Sequence, residues 1–443
     1  MLFFLVFLLW LVVFMIDGNL SSIVLSTFMY FIGLVIVTLK CRSNYKIYAR
    51  LFHIVYLVYL TVALIVSQSF SVFDNFFVSD SSRYIETYMK SSTFYFDKQD
   101  FINCYIEFSD SNVLYNAYLN IIAVIANTNF VDLSVYGMTL LQTFWGILSA
   151  IVLFKILSRH VNLKLAFTYT LLFVFCSYYL FYSTVIIRDI LICFLYLLAF
   201  NIIDQKFSIA GLCKLILILF VTWGIRLYSG LFLSVFIAYY LYIKLRNGRF
   251  KCIAAVLFVI VLIVFGLSLL SSAIVEQTFT ELNEYSELSA ERSAGGLVSK
   301  LQSLPPVISH FAIVLFTMIR PIPPLSVFNE CHTFSHIIIS TLFLISGFFW
   351  FVVFYSYFIK LFIKKRIYSF SFGESFLLLI CLAFLLANAS HPDVRRMLPV
   401  FPIIYAQYIK ICSIEKVSLF EGRVPISLIG IYLTMAFGFL ILM

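Results

Sequence analysis

The chain has 443 residues, of which 63% are apolar, 19% aromatic and only 12% charged, with a formal net charge of +9. A water-soluble globular domain is nearer half apolar and a quarter charged, so this balance excludes a soluble protein and leaves the bilayer as the solvent. The basic excess is spread over many short loops between apolar runs, which points to membrane topology and excludes nucleic acid as a partner.

Taken in order, the first apolar run, Met1 to Ile16, has neither a basic start nor a small-residue cleavage site, and a second run follows Asp17-Gly18-Asn19. It reads as a first membrane helix and not as a secretory signal. Further spans are predicted near 20–39, 51–70, 135–154, 165–182, 188–203, 208–225, 228–243, 252–272, 336–359, 374–389, 397–411 and 425–443. The fold class expected is therefore all-α and polytopic, a single transmembrane domain over residues 1–443 with about thirteen helices.

The loops near 40–50, 155–164, 204–206, 244–251, 360–366 and 410–423 hold 19 Lys and Arg against three acids, Asp204, Glu415 and Glu421. The positive-inside rule assigns them, with the N-terminus, to the cytoplasm. Alternate loops carry the opposite balance and face outward. Two of these are long, 71–134 and 273–335, and each ends in a half-length apolar stretch, Val113 to Ala126 and Val307 to Met318. Thirteen spans fit the charge pattern only if these two stretches are re-entrant or interfacial. Nine cysteines with no C-x-x-C pair, most of them in apolar runs or basic loops, argue against a disulfide framework.

Arginine on the outward side runs against the charge bias, and within a helix end it costs about 2.5–3.5 kcal/mol on insertion scales. Arg188, Arg226, Arg320 before Pro321, and the pair Arg395 and Arg396 are placed in this way. A single such arginine is most simply a snorkelling residue or an ion pair, Arg188 with Asp189 for example; several on one side match a pyrophosphate, because the guanidinium fork donates two parallel hydrogen bonds at any working pH. The segment His391-Pro392-Asp393-Val394-Arg395-Arg396 is the densest constellation, at the mouth of a helix broken by Pro399 and Pro402. A base able to deprotonate a sugar hydroxyl remains open among Asp80, Asp189, His391 and Asp393.

Tyr178, Tyr179, Tyr182 and Tyr228 lie near outward helix ends, where they pack by default and stack on sugars as the alternative. His332 and His336 have i, i+4 spacing but lack a proper set of partner ligands, so no metal is expected. No phosphate-binding glycine loop, G-x-S-x-G or H-E-x-x-H motif is present, no cofactor is expected, and no cytoplasmic stretch is large enough for a nucleotide domain.

The order of these features resembles the bacterial Wzy/EpsG-type family of oligosaccharide repeat-unit polymerases, which make O-antigen, capsule and exopolysaccharide. The resemblance covers roughly residues 70–240 and the arginine-rich helix mouth near 391. It rests on Asp80-Ser81-Ser82-Arg83-Tyr84 in an outward loop, Val113 to Asn120 leading a short apolar helix, a helix ending in Lys155, and Ile187-Arg188-Asp189-Ile190-Leu191. It implies a glycosyltransferase-type enzyme of the bacterial cytoplasmic membrane working on the periplasmic or extracellular face. Donor and acceptor would be undecaprenyl-pyrophosphate-linked oligosaccharides. Arg188, Arg226, Arg320, Arg395 and Arg396 would hold the pyrophosphate, and a chain-length regulator and a flippase would be further partners; the catalytic candidates, drawn from the residues themselves, are Asp80, Asp189 and His391. An arginine-x10-glycine pattern known in some O-antigen polymerases is absent, since Ala199, Ile237, Cys331 and Ala406 stand where glycine would follow. Alternatives are a polyprenyl-phosphate-sugar-dependent transferase of the GT-C type, which Asp80 would suit, and a lipid-linked oligosaccharide transporter, for which no internal repeat is found.

Overall fold

The computed structural model describes residues 2–40, 44–68, 114–115, 118–119, 134–205, 208–245, 300–301, 303–321, 325, 328, 333–363, 372–389 and 394–442. Among the described residues the chain is helical and contains no strand. Among the described residues, five helical stretches are long and apolar enough to cross a membrane: Leu20–Leu39, Tyr45–Gln68, Val135–Leu157, Phe334–Ile363 and Val394–Glu415. This is the architecture of a helical membrane protein, in which the backbone satisfies its own hydrogen bonds where water cannot.

The helices form two compact units. The first contains α1 (Leu2–Asp17), α2 (Leu20–Lys40), α3 (Tyr45–Gln68), α4 (Val135–Leu157), α5 (Leu163–Cys176), α6 (Tyr179–Tyr182) and most of α7 (Asp189–Ile203). Gly224–Arg226 and Leu325–Phe349 also belong to it. The second contains most of α8 (Ile209–Ile225), then α9 (Leu227–Leu245), α10 (Pro306–Ile319), the end of α11 (Phe334–Phe358) and its π turn Ile359–Ile363. It is completed by α12 (Phe372–Ala387), α13 (Val394–Met397), a 3-10 turn Leu398–Val400, α14 (Phe401–Glu415) and α15 (Arg423–Leu442).

In the first unit α3 packs along α4 and against α1 and α2. Gly33 makes the α2–α3 approach possible, because a Cβ at that position would overlap the Phe52 ring. Polar groups inside this bundle are paired: the Trp10 indole N–H donates to Tyr56 Oη at 3.2 Å, and Tyr56 Oη donates to the Ser26 carbonyl at 2.7 Å. His53 Nδ1 lies 2.5 Å from the Ala49 carbonyl, so that nitrogen carries the proton and Nε2 accepts from Tyr30 Oη at 2.7 Å. At the α1–α2 turn the Asp17 carboxylate accepts from Ser22 Oγ at 2.6 Å and from Ser134 Oγ at 2.8 Å. Ser134 is also the N-cap of α4 and accepts from the Gly137 N–H at 3.1 Å.

Two local departures from the sequence reading follow from side-chain chemistry. The continuous helix expected over 165–182 is interrupted at Ser177, whose backbone is extended (φ −106°, ψ 164°) and whose Oγ accepts from the Tyr179 N–H at 3.2 Å. A serine oxygen offering the backbone an alternative partner ends the helix there without proline or glycine. Lys360, counted with a basic loop, is instead buried in the π turn at the end of α11, with its Nζ 2.9 Å from Glu415. The half-length stretch Val307 to Met318 forms α10, about 21 Å long, shorter than the ~30 Å hydrocarbon core. Val113 to Ala126 lies almost wholly outside the described residues, as does the span expected at 252–272.

Candidate functional site

In the first unit the chain between Ser177 and Asp189 turns through α6 and a non-helical stretch before α7 starts at Asp189. A carboxylate in the first turn is favoured by the helix dipole. Arg226 is the non-helical residue between α8 and α9. Its Nη1 donates to Asp189 Oδ1 at 2.6 Å, and the two residues are only 5% and 2% exposed. The cation that meets Asp189 is thus 37 residues away in sequence. Such a short, charge-assisted bond aims the Arg226 guanidinium at the start of α7. Arg188 is half-buried beside it in the chain, immediately before the helix.

Around this pair the described residues of the first unit are rich in packed aromatic rings. Tyr178, Tyr179 and Tyr182 are at most 5% exposed. Tyr178 and Tyr182 meet Phe343, and Tyr179 meets Phe173 at 5.6 Å, so these tyrosines are packing residues. Trp145 of α4 meets Phe194 of α7 at 5.2 Å and donates from its indole N–H to Tyr118 Oη at 3.2 Å, while Gln142 donates to Tyr115. Gly224 lets Leu114 approach so closely that a Cβ there would overlap its side chain. Tyr115 and Tyr118 of the 71–134 loop are thereby anchored on α4.

The remaining arginines of the set belong to the second unit, where Trp350 of α11 provides a reference level. Its indole N–H points to Met318 Sδ at 2.9 Å, and its ring stacks on Phe401 at 4.1 Å. Below this level, toward the C-terminal end of α11, Tyr355 donates to the Leu315 carbonyl at 3.0 Å and Tyr357 to Gln407 Oε1 at 2.7 Å. Moving the other way, α10 ends at Arg320, two residues past Met318, and α14 runs back through its 3-10 turn to Arg396 and Arg395. All three arginines therefore lie on one side of the Trp350 layer.

Helix α12 brings polar groups to the same level. Glu374 near its start is paired with Lys410 of α14, and both Asn388 and Arg396 lie 14 residues from that pair, about 21 Å along roughly antiparallel helices. There Asn388 Oδ1 accepts from Tyr228 Oη at 2.7 Å. Arg395 is 8% exposed, Arg396 half-buried and Arg320 exposed. Proline sets the break: Pro399 occupies the first positions of the 3-10 turn and Pro402 those of α14, where a missing N–H is harmless. The arrangement offers guanidinium groups, an amide and a phenol at the broken end of an apolar bundle, a chemistry suited to a phosphate-bearing ligand.

Asp80, His391 and Asp393 lie outside the described residues, as does His332, the partner of His336 in the i, i+4 pair. Among the described residues no group of three or more His, Cys, Asp or Glu is assembled in a way that would hold a metal. Sequence reading missed one buried cluster, in which Lys360 Nζ meets Glu415, points to Cys412 Sγ at 3.6 Å and lies over the Tyr408 ring. No family model matches the chain, and no curated protein or solved structure is significantly similar to it.

Proposed function

We propose that the protein polymerises undecaprenyl-pyrophosphate-linked oligosaccharide repeat units into O-antigen, capsular or exopolysaccharide chains on the outward face of the bacterial inner membrane. The observation that carries this reading is the placement of Arg320, Arg395 and Arg396 on one side of the Trp350 layer, level with the Tyr228–Asn388 hydrogen bond. In the proposed reaction an acceptor hydroxyl attacks the anomeric carbon of the donor sugar, and the bond to the lipid pyrophosphate breaks. Charge develops on the departing phosphate oxygen, and preorganised guanidinium groups in a site of low dielectric stabilise it without reorganising. In the first unit, Arg226, held by Asp189, is proposed as a pyrophosphate ligand in its own right.

The proposed topology has about thirteen spans, a cytoplasmic N-terminus and the arginines outward. It agrees with the basic loops and with a half-length α10. Asp80 and His391 remain the proposed base candidates alongside Asp189, the latter with its carboxylate already engaged by Arg226. The test is a gel of surface polysaccharide from the source strain with the gene, without it, and restored with Arg395→Ala. Collapse of a long ladder to a single-repeat band on deletion, unrelieved by the variant, supports polymerisation through the arginine. A ladder that persists with a one-sugar shift favours a transferase, and an unchanged gel removes both readings.

A further inference from the structure

Directly below the arginine level of the second unit, α10, α11 and α12 line a partly open groove of about 180 Å³. Its lining includes Phe311 and Leu315 of α10, Phe354 and Phe358 of α11, and Leu382 and Leu385 of α12. The lining is wholly hydrocarbon in character. An apolar lining of this kind offers water no hydrogen-bond partners. In a bilayer such a space is filled by hydrocarbon.

Charge at one end distinguishes this groove from an ordinary lipid-facing crevice. Five residues beyond Leu315, about 8 Å along α10, stands exposed Arg320; three residues beyond Leu385 stands Asn388, level with Arg395 and Arg396. An apolar slot whose two bounding helices rise toward cationic and amide side chains matches a molecule with a long hydrocarbon chain and an anionic phosphate head. We propose that the groove between α10, α11 and α12 binds the polyisoprenyl chain of a lipid pyrophosphate, with the head group at Arg320. This assignment rests on the proposed polymerase reading for the identity of the lipid, and locates its tail.

The test uses the full chain purified into nanodiscs of phosphatidylcholine, with a farnesyl pyrophosphate analogue carrying a benzophenone at its chain end as the probe. Cross-linked peptides are mapped by mass spectrometry in the wild type, in Leu385→Trp, which fills the groove, and in Arg320→Gln. The result expected is labelling within 306–320, 350–363 or 374–387 that undecaprenyl pyrophosphate competes away. Labelling should fall about tenfold in Leu385→Trp, the weight of roughly two buried methylene groups. Arg320→Gln should weaken the pyrophosphate probe but leave a benzophenone alkane without a head group unaffected. Both variants must elute in gel filtration as the wild type does; should Leu385→Trp fail to, Leu382→Phe fills the same space more gently.

Labelling elsewhere, undiminished labelling in a folded groove-filled variant, or equal labelling by the headless probe overturns the proposal; the last outcome identifies bulk lipid as the occupant. The gel experiment reads the reaction separately. Groove labelling with an unchanged polysaccharide ladder sinks the polymerase and keeps the lipid site, whereas a collapsed ladder without groove labelling does the reverse.

Discussion

Asp189→Ala is the most informative single perturbation in the first unit. It deletes the carboxylate that meets Arg226 at 2.6 Å, in a pair whose side chains are 3% and 6% exposed, and leaves a guanidinium buried. Removing one partner of a buried pair costs about 3–5 kcal/mol, because the remaining charge stays desolvated. The helix dipole adds up to about 1 kcal/mol, since Asp189 opens α7. Arg226→Met should cost a similar amount from the other side. The double variant Asp189→Leu with Arg226→Met removes both charges and should regain most of the loss, since replacing a buried pair by apolar groups is often neutral or better. The assay is equilibrium unfolding in mixed micelles, followed by circular dichroism, for the wild type, both single variants and the double. The polysaccharide gel run in parallel separates stability from function: the double variant should insert and fold yet make no polymer, because its oriented guanidinium is gone. Single changes that each cost under about 1 kcal/mol and add within about 0.5 kcal/mol would refute the coupled buried pair.

Arg188→Ala and Arg395→Ala are each expected to abolish long-chain product while membrane insertion stays intact; wild-type chain length in both sinks the arginine site. Lys360→Met should destabilise the second unit by about 3–5 kcal/mol by removing the cation that meets Glu415, whereas Lys360→Met with Glu415→Leu should recover most of it in the same unfolding assay. Glu421, fully exposed in the α14–α15 loop, accepts from the Ser418 N–H at 3.0 Å, and this bond holds its carboxyl below the usual glutamate range. Its contribution to loop order is thus present above the ordinary carboxylate pKa and is lost as pH falls through the lowered value. Protection of the Ser418 amide, corrected for intrinsic exchange, should decline across that acid window in the wild type and stay flat in Glu421→Gln; identical profiles would contradict the assignment.

Apolar runs were enough to locate most helices, since a stretch such as Tyr45–Gln68 or Arg423–Leu442 has few other stable forms in a bilayer. The break ahead of α14 was legible because Pro399 and Pro402 remove backbone donors. The break at Ser177 was not, because it depends on which partner a serine oxygen chooses. Long-range pairing was equally hidden. Asp189 has Arg188 next to it in sequence, but adjacent residues on a helix start point apart, and the carboxylate meets Arg226 instead. Lys360 and Glu415 sit in two separate basic stretches, where charge counting treats each as solvated, and only the packing of α11 on α14 makes them a buried pair. For the arginines, sequence supplied the residues; Met318, Trp350 and Phe401 supply the common level for three of them.

The serine and carboxylate knot at the α1–α2 turn carries a consequence for synthesis. Asp17 and Ser134 are 117 residues apart, so at roughly 5–20 residues per second the ribosome needs about 6–23 s to deliver the second after the first. Through that interval the N-terminal hairpin waits with only Ser22 on its carboxylate. Arrival of Ser134 both caps α4 and ties its start to the α1–α2 turn, so that one serine couples the fourth helix to the first two.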